Sequence, residues 1–110
     1  MTPVISAGEL RQRVEVQTKT EERDASGGVV EAWVTEQRRW AQVEPLTGRE
    51  FLEAQAIDAR LTTKVTMRYY PGLSASQRIV YRGRILNILT PPMNIGERDI
   101  RTECRCMEDV

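Results

Sequence analysis

Hydrophobic and polar residues alternate along most of the chain, the period-two pattern of strands with one buried face. Leu10, Val14 and Val16 share one parity, interleaved with Arg11, Arg13, Glu15 and Gln17, and predict a first strand over 10–17. Residues 18–28 are polar and end in Asp24-Ala25-Ser26-Gly27-Gly28, the composition of a loop. A second strand is predicted over 29–34 with Trp33 on one face, then a turn over 35–38. A third follows over 39–43, with Ala41 and Val43 on one face and Trp40 on the other. Pro45 ends that run, because proline cannot donate to a ladder.

The pattern then changes. Thr47 and Glu50 have the spacing of a capping box, and Phe51, Leu52, Ala54, Ala56 and Ile57 follow. One helix is predicted over 48–59, its wide apolar arc packed on the sheet or on a neighbouring copy. Alternation returns with Leu61, Thr63, Val65, Met67 and Tyr69. Pro71-Gly72 ends that strand. Residues 78–81 and 84–89 form a tight hairpin across Arg82-Gly83. Pro91-Pro92 interrupts the sheet, and Asn94-Ile95-Gly96 belongs to a loop. Ile100, Thr102, Cys104 and Cys106 mark a last strand. The fold class is therefore mainly β: a small antiparallel β-barrel of six to seven strands, with one helix after the third. Residues 10–110 make one domain, preceded by an N-terminal arm at 1–9.

Composition narrows the function. The chain carries 16 basic and 16 acidic residues, so it lacks the excess cation of a dedicated nucleic-acid binder. The charge is uneven: residues 1–55 hold 7 basic and 10 acidic residues, residues 56–110 hold 9 and 6. Such a split suits head-to-tail contact between copies. Arginine supplies 14 of the basic residues, a preference of interfaces that GC-rich coding also produces. No segment has the length of a membrane span, and the N-terminus does not read as a secretory signal, so synthesis and folding in the cytoplasm are expected. Cys104 and Cys106 lie on one face of one strand, poorly placed for a disulfide, and are expected buried and reduced.

Candidate chemistry is sparse. The chain has no histidine, so Ser-His-Asp and Cys-His sets are excluded, and the C-x-C spacing lacks a second zinc ligand pair. Gly27-Gly28 is too short for a phosphate cradle and precedes a strand. Glu50 and Asp58 are the one carboxylate pair considered for acid–base work, and nothing in their spacing asks for it. An oligonucleotide-binding barrel would use Arg68, Tyr69, Tyr70, Arg78, Tyr81, Arg82 and Arg84, with bases stacking on the tyrosines. However, Tyr69 and Tyr81 fall on the core parity of their strands. The chain reads as a structural or assembly protein, not an enzyme.

The ordered set of segments resembles the head–tail joining family of tailed bacteriophages, also called head-closure, stopper or head–tail adaptor proteins. The resemblance runs from the strand at 10–17 through Asp24-Ala25-Ser26-Gly27-Gly28 and the W-A-x-V-x-P-L-x-G-x-E run at 40–50. It continues through Val65-Thr66-Met67-Arg68-Tyr69 and the segment 78–86 to Cys106. It implies a virion structural protein with no catalytic residues and no cofactor. Copies would assemble as a ring, commonly twelve, below the portal or its adaptor at the virion neck, closing the DNA-filled head and joining it to a tail-terminator or tail protein. Packaged double-stranded DNA would pass through the channel without sequence-specific binding. A tail-completion or tail-terminator ring is the alternative within this class. The candidate channel-facing loop carries Lys19, Glu21, Glu22, Arg23 and Asp24, with the connection at 45–49 as the other candidate. Candidate interface residues are Trp33, Trp40, Arg49, Phe51, Arg68, Arg82 and Arg84. Both tryptophans are expected to anchor the barrel core, with subunit contact as the alternative.

Overall fold

Alternation becomes architecture in a computed structural model that describes residues 10–109. The predicted arm at 1–9 lies outside the described residues. The elements are β1 (Gln12–Arg23), β2 (Val29–Pro45), α1 (Gly48–Ile57), β3 (Thr63–Arg68), β4 (Arg78–Tyr81), β5 (Arg84–Ile88), β6 (Met93–Asn94) and β7 (Arg101–Asp109). A short 3-10 turn at Ile95–Glu97 precedes β7. All pairings are antiparallel, in the order β3-β2-β1-β4-β5-β7-β6, and β3 also pairs with β7. Six strands thus close into the expected barrel, and β6 pairs alongside β7. Closure removes the raw edges that short strands otherwise expose.

Inward positions alternate as the strand period requires. Val14 and Val16, Ala41, Val65 and Met67, Ile79 and Tyr81, Leu86 and Ile88, and Cys104 and Cys106 form one core, joined by Tyr70 and Leu73. Burying each large side chain contributes roughly 1.5–3 kcal/mol. The two cysteines are free and buried, their sulfurs 3.8 Å apart. Their mutual hydrogen bond and burial push the Cys104 thiol well up, which keeps it protonated and unreactive.

Two expectations about the strands need correction. Residues 18–23 are not loop: β1 continues through them to Arg23. Residues 35–38 are not a turn: the predicted second and third strands are one strand of 17 residues, so the helix follows β2. The polar stretches misled for two reasons: residues 18–23 pair outside the barrel, where neither ribbon face is buried, and residues 35–38 span a register irregularity opposite Glu15–Gln17 with their own side chains largely exposed. Beyond Gln17, β1 pairs with β2 alone, from Thr18↔Val34 to Arg23↔Val29. The result is a two-stranded ribbon roughly 20 Å long, which explains a molecule measuring 58 × 29 × 25 Å. Asp24 closes its tip by accepting hydrogen bonds from the Ser26 and Gly28 amides at 2.9 and 2.8 Å.

The ribbon leaves the barrel at a β-bulge. Val16 pairs with Gln37 and Gln17 with Thr35, leaving Glu36 as the extra residue. Its carboxylate accepts from Thr18 Oγ1 at 2.5 Å, from Gln77 Nε2 at 2.6 Å and from the Tyr70 hydroxyl at 3.2 Å. Burial and the adjoining Glu36 charge push the Tyr70 phenol up, so it remains a donor. Tyr70, rather than Tyr69, joins the core: β3 ends at Arg68, its alternation stops there, and the Tyr70 amide donates to Thr102 Oγ1 at 2.9 Å.

The β4–β5 hairpin is as predicted. Arg82 and Gly83 both adopt positive φ, 50° and 79°, as a type I′ turn requires. A Cβ at Gly83 would meet nothing within 4 Å, so its cost is conformational rather than steric. Gly83→Ala is expected to lower stability by about 1 kcal/mol, read as a fall in the chemical-denaturation midpoint at unchanged slope.

Candidate functional site

The ribbon has two distinct faces. Directly paired residues share a face, so Thr18, Thr20 and Glu22 stand with Val34, Ala32 and Val30. The opposite face carries Lys19, Glu21 and Arg23 with Trp33, Glu31 and Val29. Lys19 reaches Glu31 at 2.9 Å. Glu21 stands directly opposite Glu31, a like-charge pair. The five residues predicted for a channel-facing loop therefore divide: Glu22 lies on one face, Lys19, Glu21 and Arg23 on the other, and Asp24 holds the turn.

Trp33 and Trp40 are not core anchors, because both point to the outer face of the sheet. Trp33 is half-buried on the ribbon, with the Arg78 guanidinium 4.2 Å from its ring centre. Trp40 is 53% exposed, and Arg13, its cross-strand partner, lies 5.3 Å from its ring. Trp40, Leu10, Arg11 and Arg68 line a groove of about 480 Å³. An adjoining hollow of about 320 Å³ adds Arg13, Gln37, Arg38 and Arg39. Glu15 occupies Arg38 at 3.1 Å, leaving this outer surface strongly cationic. Composition could not reveal the groove, since β-sheet register alone brings positions 13, 40 and 68 together.

The remaining candidate interface residues lie elsewhere. Arg82 and Arg84 flank Tyr81 at the β4–β5 turn, and Arg84 is bound to Glu108. Arg49 and Phe51 sit on α1, whose Phe51, Leu52 and Ile57 are exposed. The helix is held by Ala54 against Leu46 and Leu61, and by Gln55 Nε2 donating to the Leu61 carbonyl at 2.8 Å. The predicted capping box does not form: Thr47 makes no side-chain cap, and Glu50 turns instead to Lys64 at 2.8 Å. A cation from β3 outcompetes a backbone amide for that carboxylate. Its hydrogen bond holds Glu50 below the ordinary carboxylate range. Burial works against the Lys64 ammonium, but Glu50, Glu103 and Glu44 outweigh it and raise its pKa.

These directions bear on acid–base chemistry. Asp58 is also held down, by side-chain and backbone hydrogen bonds from Arg60. A general acid needs a carboxyl pushed up, not down. The tyrosines proposed as stacking platforms are also compromised, because Tyr70 and Tyr81 are buried.

Against this geometry, likeness to known proteins is decisive. Residues 5–109 match the family described as phage head completion protein. The chain belongs to that family. It is 40% identical over 91 residues to head completion protein gp7 of Enterobacteria phage HK97, covering 78% of this chain and 81% of that protein. It is 25% identical over 93 residues to head completion protein gp16 of Bacillus phage SPP1, covering 84% and 85%. The solution structure of protein SF1141 from Shigella flexneri 2a superposes with a TM-score of 0.80 at 30% identity, covering 96% of this chain and 98% of that one. A chain in the virion of the native gene transfer agent particle shares the fold, with a TM-score of 0.62 at 17% identity, covering 92% and 96%. The resemblance inferred from the ordered segments is thus borne out at the level of the family.

Two outcomes separate surface from scaffold in this head completion protein. Trp40→Ala is expected to change stability by less than about 1 kcal/mol, whereas Met67→Ala costs about 2–5 kcal/mol; urea denaturation compares them. Glu50→Gln is expected to cost at most about 1 kcal/mol at neutral pH after solvent screening. A depressed carboxyl stabilises above its unfolded value, near 4.3, and loses that contribution as pH falls through its folded value. The gap in melting temperature between the variant and the parent is therefore expected to narrow as the solution is acidified below the ordinary carboxylate range.

Proposed function

We propose that the protein completes the phage head by forming a ring at the virion neck, below the portal or its adaptor, after DNA has been packaged. The ring holds the DNA inside and presents a surface to a tail or tail-terminator protein. The observation that carries this reading is the 40% identity to a head completion protein over most of both chains. The role is structural and calls on no catalysis or cofactor. Twelve copies are the proposed number, as the family resemblance implies.

The molecule's form supports the assignment. A ring subunit needs two different complementary surfaces, because its contacts are head-to-tail. The barrel offers a cationic groove at Trp40, and the ribbon extends well beyond the barrel. The ribbon, with Lys19, Glu21, Glu22, Arg23 and Asp24, is the segment we place nearest the DNA. Glu22 and the acidic tip discourage adhesion to phosphate, so the DNA slides past without being gripped.

Deleting the gene and imaging the particles by electron microscopy tests this role. Separated tails together with heads that have lost their DNA are expected. Normal filled and tailed particles would overturn the reading, and full heads with malformed tail ends would shift it to a tail-terminator ring.

A further inference from the structure

We propose that the ribbon of one copy docks on the Trp40 groove of the next, with Glu21 and Glu31 of the ribbon meeting Arg68 and Arg101 of the barrel. This contact rests on the ring assembly proposed above and specifies what joins its subunits.

The argument begins with two pairs that repel. On the ribbon, Glu21 and Glu31 stand directly opposite each other. On the barrel, Arg68 and Arg101 stand directly opposite each other across β3 and β7. Like charges so placed destabilise a sheet. Lys19 offsets Glu31, whereas neither Glu21 nor Arg68 has an ion-pair partner among the described residues. Arg101 Nε is buried without a hydrogen-bond partner. Each sheet thus carries a strain of one sign that the other's pair would relieve. The carboxylates would accept hydrogen bonds from the guanidinium forks, the geometry that arginine favours.

Apolar matter accompanies the charge on both sides. Val29, on the same ribbon face as Glu31, is 64% exposed. Trp40, beside Arg68 in the groove, is 53% exposed, and an exposed Trp flanked by arginines has the composition of an interface hot spot.

The occupant must be another molecule. Between Trp40 and Val29, β2 is continuous strand that spans about 35 Å, so the ribbon cannot fold back onto its own groove. One ribbon and one groove on each copy make a heterologous contact, which closes into a ring when the rotation between copies is right. The opposite face, with Glu22, stays free to border the channel.

Cysteine crosslinking in the full chain tests the contact. In Glu21→Cys/Arg68→Cys, oxidation is expected to produce a ladder of covalent multimers, while each single variant gives no species beyond a dimer. Native Cys104 and Cys106 are buried and do not compete. Arg68→Glu is expected to weaken self-association about ten-fold or more, and Glu21→Arg/Arg68→Glu to recover part of it. Both positions are exposed, and circular dichroism verifies that the variants fold. A double-cysteine variant that stays a single band, whatever its sedimentation, overturns the contact. So does Arg68→Glu associating like the parent. Either result leaves head completion standing if the deletion particles still lose their DNA; normal deletion particles overturn that role but not a ladder already observed.

Discussion

Closure of the sheet between β3 and β7 is the constraint on which everything else rests. The six strands of the ring are short where they pair, and an open sheet of them would leave two rows of backbone donors and acceptors facing water. When Thr63–Arg68 pairs with residues 101–106, the inward parities of all six strands converge on one interior. That interior is filled mainly by Val, Ile, Leu, Met and Cys side chains, with Tyr70 and Tyr81 as its aromatic members, in keeping with a chain that is only 5% aromatic. Neither tryptophan is needed in that core, and both lie on the outer surface.

The same closure accounts for the divided life of β2. Its lower half belongs to the ring, where Ala41 and Val43 face the core, and its upper half belongs to the ribbon. A strand that changes environment partway needs a joint, and the extra residue Glu36 supplies it. The carboxylate at that joint draws on β1, the connection after β3 and the segment before β4 through Thr18, Tyr70 and Gln77. The ribbon's departure is therefore braced from the barrel side by Tyr70 and Gln77 rather than by backbone pairing alone.

Much of this was legible in the sequence wherever one face of a strand is buried. Val14 with Val16, the run from Thr63 to Met67, and Cys104 with Cys106 declared their parity by composition, and Arg82-Gly83 declared its turn. Legibility failed where burial does not govern pairing. Residues 18–23 face water on the ribbon, and residues 35–38 run through the bulge with side chains largely exposed, so strand and loop look alike there. Glu50 has the spacing of a local cap, but its partner Lys64 comes from a later strand. The Trp40 groove joins Arg13 to Arg68 through register, and no local window of sequence contains both. Family resemblance carried the functional reading across this gap, since the residue pattern alone named no role.

The ribbon's two strands each have a partner on one side only, and this bears on how a subunit survives before it is used. Unpaired strand flanks invite any other strand to add, and a pool of identical chains would offer many. Lys19, Glu21, Glu22 and Arg23 along one strand discourage that growth, because charged side chains make indiscriminate strand addition costly. The projection that gives the molecule its reach is thus also guarded against uncontrolled fibre formation.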